Sequence, residues 1–367
     1  MIDVFIIVLC FLFVWVIINS LFLPNLKEEI TPLPYPRVSL LIPLRNEERN
    51  IEGLLDSIDE LTYSNVEIIL LDDHSTDNTV ALIEEKRKFM KPIQLMSGDP
   101  LPSGWIGKSY ACHQLSKKAT GDYYFFIDAD VRLHQRAIER CISTMQQRKC
   151  RLITGFPHFP TSSFLSQLLV PMQHFIVFLH LPLMVANKTT SPLFSAAHGA
   201  FMFFHRKSYE EIGGHVQVKQ QIVEDVQLAR NMKAHQFSVL LANVTTTASC
   251  YMYQTNKEVW EGFSKNIFNG IGRSFLLGSF IIVVYFLFFV SPLLLASFGV
   301  LTSSYVYFLP LCIVVLIRAF VDLKTKQSLW LSFLMPLSSL FLIMLLLHAM
   351  IAYVTHKGFT WKGRHYS

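Results

Sequence analysis

Charge is scarce in this chain: Asp, Glu, Lys and Arg make up 16% of its 367 residues, against 51% hydrophobic ones, and the mean hydropathy is +0.37. That balance excludes an ordinary soluble enzyme, and the regular apolar patterning excludes a disordered chain. Cysteine is sparse as well. Cys10, Cys112, Cys141, Cys150, Cys250 and Cys312 include no Cys-x-x-Cys pair, which argues against a zinc site or a disulfide scaffold and for a reducing compartment. A basic centre is also missing. From Phe275 onward Arg318, Lys324, Lys326, Lys357, Lys362 and Arg364 face Asp322 alone, and this stretch accounts for the whole net charge of +5. The middle of the chain is nearly balanced, which speaks against a nucleic-acid binder. There is no internal repeat, no low-complexity run and no phosphate loop of the Gly-x-x-x-x-Gly-Lys type.

Long apolar runs are what the sequence has in plenty, and they occupy both ends. Residues 5–23 carry no basic residues before them and no small-residue cleavage site after them, so residues 1–23 read as an uncleaved membrane anchor. The stretch 275–320, interrupted at Ser291-Pro292 and again at Thr302-Ser303-Ser304, suits two spans joined by a short turn. The basic loop 322–327 that follows belongs on the cytoplasmic side. Residues 329–354 are long enough to cross once more. They contain Pro336, however, and a crossing would carry the basic tail, 356–367, outward, so a re-entrant segment fits equally. Membrane helices are thus expected over 275–355, and residues 24–274 leave room for one α/β domain with a full core. Inside that domain, 164–184 is apolar but broken by Gln167, Pro171, Gln173, His174, His180 and Pro182. This is the pattern of a helix lying in the membrane interface, with Phe164, Leu168, Leu169 and Phe175 toward lipid. Together with the aromatic stretch 201–204 it is expected to flank the entrance for an acceptor.

In the central part, Val38–Ile42, Val66–Leu71 and Tyr123–Ile127 are short β-branched or aromatic runs, each followed or preceded by a helical pattern. Strand alternating with helix implies a mostly parallel sheet, whose ligands sit at the carboxyl ends of the strands. Asp128-Ala-Asp130 is either a turn or capping pair, or two carboxylates able to approach a hard divalent cation whose other ligands are phosphate oxygens. The run from Asp72 to Asp77 reads as an Asx-rich turn capping a helix at Thr79, and also as a place where a carboxylate accepts the imide N–H of uracil. Lys108, after Gly107 at a helix start, could meet a diphosphate with its charge and with free backbone N–H groups, or be a solvated loop lysine. Glu224-Asp225 opens a helix. It complements the macrodipole there, or, between Val223 and Val226, supplies a base for an acceptor hydroxyl. His198-Gly199 and Gly213-Gly214-His215 read as structural or as acceptor-site lining, since no histidine or cysteine cluster supports a metal on them.

In order and spacing, Val38–Glu48 (VSLLIPLRNEE), Leu70–Thr79 (LLDDHSTDNT), Asp128-Ala-Asp130 and Glu224-Asp225 resemble the motifs of glycosyltransferase family 2, over residues 37–245. The resemblance implies a GT-A fold: an α/β, Rossmann-like, mostly parallel sheet domain, here with interfacial helices and with transmembrane helices at the N- and C-terminal ends. It further implies a UDP-sugar donor, a divalent metal (Mg2+ or Mn2+) and an inverting single displacement. Position by position, it makes Pro43 and Glu47 part of the nucleotide pocket, Asp73 the uracil-binding aspartate, Lys108 the donor-diphosphate lysine and Asp128 the residue facing donor sugar and ribose. Asp130 becomes the metal ligand, and Asp225, with Glu224, the catalytic base. Gly104–Cys112 (GWIGKSYAC), Trp260–Asn266 (WEGFSKN) and Trp361–Tyr366 (WKGRHY) are similar to a membrane-bound branch that glycosylates carotenoid acids such as 4,4′-diaponeurosporenoate. That similarity implies glucose as the sugar and a membrane lipid or carotenoid as acceptor, with His198, Gly199, Trp260 and Lys265 as acceptor-site candidates. It also implies a multi-pass protein of the cell membrane with its catalytic domain in the cytoplasm. No Gln-x-x-Arg-Trp occurs near Trp260, a departure from processive polysaccharide synthases that favours transfer of a single sugar. Synthesis of a surface polysaccharide or polyprenyl-linked sugar, and a non-catalytic membrane scaffold, are the competing readings; the retained acidic motifs speak against the scaffold.

Overall fold

In the computed structural model, which describes residues 2–26, 35–355, 359–361 and 364–366, the apolar run Val38–Leu44 is strand β1, and six of its seven residues are buried. Strands β2 (Val66–Asp72) and β3 (Ile93–Ser97) continue the sheet in parallel on one side, and β4 (Tyr123–Phe126) joins in parallel on the other. A short ribbon follows, β5 (Val131–Leu133) paired antiparallel with β9 (Ala248–Cys250). The main sheet is completed by β6 (Leu152–Thr154), β7 (Met202–His205) and β8 (Val239–Leu241), in the order β3-β2-β1-β4-β7-β6-β8. β7 is antiparallel to both its neighbours, whereas β6 and β8 are parallel.

Helices cover the sheet because their apolar residues recur at helical spacing. On α2 (Glu48–Asp59), Ile51, Leu54, Leu55 and Ile58 are all fully buried, an i, i+3, i+4, i+7 stripe in which a Leu→Ala change costs about 2–5 kcal/mol. The other helices of this layer are α3 (Thr79–Lys86), α4 (Gly107–Lys118), α5 (Ala137–Arg148), α8 (Leu183–Lys188), α9 (Arg206–Glu211) and α10 (Glu224–Ala234). The aromatic stretch 201–204 is not an acceptor entrance. Phe201, Phe203 and Phe204 are fully buried, with Phe125 against Phe201 at 4.9 Å and Tyr123 stacked on Phe203 at 5.2 Å between ring centroids. A strand in the middle of a sheet is covered on both faces, so its sequence is continuously apolar for reasons of packing alone.

By its internal contacts the chain divides into two units: Phe22–His158 with Leu181–Tyr251, which holds the sheet, and Met1–Leu21, Phe159–His180 and Met252–Ser367, which is helical. The helical unit comprises α1 (Ile2–Ser20), α6 (Phe164–Leu169), α7 (Met172–His180), α11 (Asn256–Gly270), α12 (Phe275–Tyr285), α13 (Ser291–Thr302), α14 (Leu309–Lys324) and α15 (Met335–Val354). Four of its helical stretches, Ile2–Ser20, Phe275–Thr302, Tyr305–Lys324 and Leu329–Val354, are long and apolar enough to cross a membrane. The expected interruption at Ser291-Pro292 is absent. A π-helical turn over Phe286–Val290 leads directly into α13, giving the proline, which has no N–H to donate, a place in a continuous helix. The chain turns only at Ser303, whose φ of 53° is left-handed.

Phe164–His180 is apolar but shorter than these four. Its side chains are not sorted as the sequence suggested: Phe164 is half exposed, but Leu168, Leu169 and Phe175 are fully buried, and so is His174. Phe175 meets Phe289 edge-on at 5.3 Å, and Met172 Sδ lies 2.7 Å from Arg318 Nη1. The apolar face of this segment is consumed by neighbouring helices of its own unit. Arg318 is paired with Asp322 through Nε, at 2.9 and 2.8 Å, with neither residue exposed. The segment 27–34 and half of the basic tail, 356–367, with part of its Trp361–Tyr366 motif, lie outside the described residues; Phe359–Trp361 and Arg364–Tyr366, β10 and β11, form an antiparallel pair.

Candidate active site

The chain leaves β1 toward β2 on one side and reaches β4 on the other, so the carboxyl ends of β1 and β4 flank a topological switch point, where sheets of this kind bind ligands. Pro43 is paired with Leu71 near the end of β1. Glu47, Asp73, Asp128 and Asp130 all stand just past strand ends on the same edge.

The loops after β1 and β2 are laced together. Asn46 and His74 both adopt left-handed φ values, 52° and 57°. The Asn46 side chain accepts the Thr76 N–H at 2.8 Å, its own N–H donates to Ser75 Oγ at 2.9 Å, and Arg45 donates to the Asp73 carbonyl. Asp72 accepts the Ser75 N–H at 3.3 and 3.2 Å and Asp77 accepts the Thr79 N–H at 3.0 Å. Asp72 thus closes an Asx turn and Asp77 takes up the first N–H of α3, whose N-cap position is Asn78, with Asp73 buried beside them. Glu47 sits at the N-cap of α2, where its N–H donates to Thr79 Oγ1 and its carboxylate accepts from Asn50 Nδ2, each at 2.8 Å.

At the other side of the crevice three distant pieces of sequence converge on one ammonium group. Lys108, in the first turn of α4, places Nζ 2.7 and 2.9 Å from the two oxygens of Asp128 and 3.2 Å from Glu224 Oε1. Burial alone would lower the Lys108 pKa, but the carboxylates of Asp128 and Glu224 reverse that and hold it well above its ordinary value. Next to Glu224, Asp225 accepts the Gly199 N–H on Oδ2 at 2.7 Å and the Val226 N–H on Oδ1 at 2.8 Å. Burial, reinforced by Glu224, pushes its carboxyl up to about 7. Gly199 leaves room for the ammonium group. A Cβ there would stand 2.9 Å from Lys108 Nζ, 3.5 Å from Asp225 Oδ2 and 3.6 Å from Glu224 Oε1. His198 is buried, with its value pushed down to about 4 by burial against the opposing pull of Asp128. The Ala200 N–H donates to its Nδ1 at 3.3 Å, which places the remaining ring hydrogen on Nε2.

Asp130 follows in the same turn. Its Oδ1 accepts from Cys250 Sγ at 3.3 Å and its carbonyl accepts the Tyr251 N–H at 2.8 Å. Among the described residues no group of three His, Cys, Asp or Glu is placed to hold a metal by itself. The donors present at the end of β4 are carboxylate oxygens, hard ligands that suit Mg2+ or Mn2+ when the rest of the shell is water and phosphate oxygen. The charge balance points the same way. Asp128 and Glu224 pair with Lys108, with Asp225 beside them, and Arg132 stands near Asp130; four carboxylates thus face two cations, and an anionic diphosphate enters such a site more readily with a divalent cation than without one.

Most of the residues singled out in the sequence are brought together on this edge: Lys108, Asp128, Glu224, Asp225 and Gly199 in direct contact, with His198 and Asp130 adjoining them in the chain. Trp260 and Lys265 belong to α11 of the helical unit, where Trp260 lies 5.4 Å from the His348 ring. His215 is structural, its Nδ1 2.7 Å from the Tyr209 hydroxyl. Two residues of the site were missed. Arg132 donates to the carbonyls of Ala129, Val131 and Asn50 at 3.2, 2.9 and 3.0 Å and so braces the Asp128–Asp130 turn against α2. Its position on β5 two residues after Asp130 was a readable signal. Cys250 gave none, because its contact with Asp130 crosses 120 residues of chain.

Residues 39–213 match the family described as glycosyl transferase family 2. The chain is 27% identical over 237 residues to a 4,4′-diaponeurosporenoate glycosyltransferase of Staphylococcus haemolyticus, covering 63% of this chain and 60% of that one. It is 26% identical over 256 residues to the protein of that name from Staphylococcus aureus strain MRSA252, covering 68% and 65%. The match thus spans under two thirds of the length of either relative. Among solved structures, a mannosyltransferase of Pyrobaculum calidifontis in complex with GDP-Man and Mn2+ superposes with a TM-score of 0.56 at 14% identity, over 97% of this chain and all of that one. That likeness is one of fold. Glu224 and Asp225 lie beyond the family match and rest on the geometry alone.

Proposed function

We propose, from the premise that residues 39–213 form a family 2 glycosyltransferase domain, that the protein transfers one glucose from UDP-glucose to the polar head of a membrane-embedded lipid, a carotenoid acid being the acceptor class to test first. The observation that carries this reading is the meeting of Lys108 with Asp128 and Glu224, beside an Asp225 whose carboxylate is aimed by the Gly199 N–H. A diphosphate-binding cation and a proton acceptor then share one site, as displacement at an anomeric carbon requires.

In that reaction an acceptor oxygen forms a bond to the anomeric carbon while the bond from that carbon to the diphosphate breaks. Lys108 is positioned to take up negative charge appearing on the diphosphate, a kind of help worth roughly 3 kcal/mol for one well-placed donor. A divalent ion held by Asp130 would add Lewis-acid stabilisation of the same leaving group. Asp73 would accept the uracil imide N–H beside Glu47 and Pro43. Asp225 takes the proton of a hydroxyl acceptor, and a carboxyl raised to about 7 is matched to that task near neutral pH. A carboxylate acceptor brings no proton, so with it Asp225 is left with orienting the attacking oxygen. Within the sheet unit, His198 and Gly199 are the residues assigned to the acceptor.

The four apolar helices support a membrane protein. We place residues 24–274 on the cytoplasmic side with 164–184 at the interface, because the basic loop 322–327 and the supply of charged nucleotide sugars both favour that side. The test is to incubate membranes containing the protein with radiolabelled UDP-glucose, Mn2+ or Mg2+ and lipid extract, and to resolve the labelled lipids by mass spectrometry. A single hexose on a lipid is expected. Label in a polymer would overturn the single-transfer reading, and better use of GDP-mannose would overturn the uridine pocket.

A further inference from the structure

The contact between Cys250 and Asp130 belongs to none of the roles assigned so far. Cys250 is the last residue of β9, paired across the ribbon with Val131, and is 1% exposed. The backbone is held on both sides of it: its own N–H donates to the His158 carbonyl and the Tyr251 N–H to the Asp130 carbonyl, each at 2.8 Å. The direction of its side chain is thereby fixed, with Sγ 3.3 Å from Asp130 Oδ1.

We propose that Cys250 is a positioning residue for Asp130, its thiol hydrogen bond to Oδ1 setting the rotation of the carboxylate that would hold the divalent ion. A thiol suits this place. It is a weak, neutral donor, so it orients the carboxylate without adding to the positive charge that Arg132 already brings near it. The inference rests on the reading that Asp130 holds a divalent ion, and it concerns only how this chain prepares that carboxylate. Tyr251 is the last residue of the sheet unit and Met252 begins the last segment of the helical one, so the strand that orients Asp130 is also the one that leads out of the domain.

The experiment is calorimetric titration of the full-length protein in detergent with UDP, with and without Mn2+, for the wild type, Cys250→Ser, Cys250→Val and Cys250→Ala. Serine keeps a donor, valine keeps the volume without one, and alanine removes both. Serine is expected to stay within about threefold of the wild type in Mn2+. Valine and alanine should each lose roughly tenfold, the low end for partners of metal ligands, with metal-free UDP affinity unchanged even where the buried substitution lowers the thermal midpoint. Wild-type Mn2+-dependent affinity in the valine or alanine variant, or equal losses in all three, would overturn the role of Cys250. A wild type whose UDP affinity does not respond to Mn2+ would overturn the metal reading, and this inference with it.

Discussion

Asp225 is held at a cost to the fold. Burial and the neighbouring Glu224 raise its carboxyl from an ordinary 3.8 to about 7, so the native state binds its proton more tightly than the unfolded chain does. Below pH 4 both states are protonated and there is no penalty. Between about pH 4 and 7 the unfolded chain gains from ionising first and stability falls; above pH 7 the full penalty is present. Asparagine keeps the shape and cannot ionise. It keeps only one acceptor for the N–H groups of Gly199 and Val226, a loss that does not depend on pH, so the thermal midpoint of Asp225→Asn relative to the wild type should be higher at pH 8 than at pH 5.5. A difference that is the same at both pH values would show that Asp225 is not the group carrying the penalty. At this scale the sequence was readable where a residue's neighbours in the chain define its place, past a strand end for Asp73 and in the first turn of a helix for Lys108 and Asp225. It was mute for Cys250, whose role depends on a contact with a distant strand.

The elements divide in the same way. Strands β1, β2 and β4 were legible because each is an apolar run ended by a proline or an aspartate, and the helices between them carry their own periodicity. The antiparallel part was not: β6, β8 and β9 have three residues each and β7 four, too short for alternation to register, and the buried aromatics of β7 imitated the wall of an acceptor entrance. For α6 and α7 the length and polar interruptions were read correctly as unlike those of the four long apolar helices, but the facing of Leu168, Leu169 and Phe175 was not, since a helix with partners on its apolar side buries that side against them. The interfacial placement proposed for this segment has a consequence that can be measured. With the exposed Cys10 and Cys312 replaced by serine, cysteines introduced as Pro160→Cys and Lys188→Cys should react with an impermeant maleimide from the same side of the membrane. Labelling from opposite sides would make the segment a span and would separate Asp130 from Asp225.

For the molecule as a whole, the composition already separated a charged middle from apolar ends, and the basic excess of the tail hinted at orientation. What composition could not convey is that residues from 108, 128, 199 and 224–225 close on a single point, because that closure is made by a sheet order in which β7 is inserted between β4 and β6. The central claim is a division of labour at that point, with Asp130 serving the donor through a divalent ion and Asp225 serving the acceptor. The most direct measurement is calorimetric titration of UDP in Mn2+ into Asp130→Ala and Asp225→Asn, alongside a transfer assay on the same preparations. Transfer should be lost in both. Asp225→Asn should bind UDP as the wild type does, and Asp130→Ala should bind it at least tenfold more weakly; equal UDP affinity in the two variants would contradict the account.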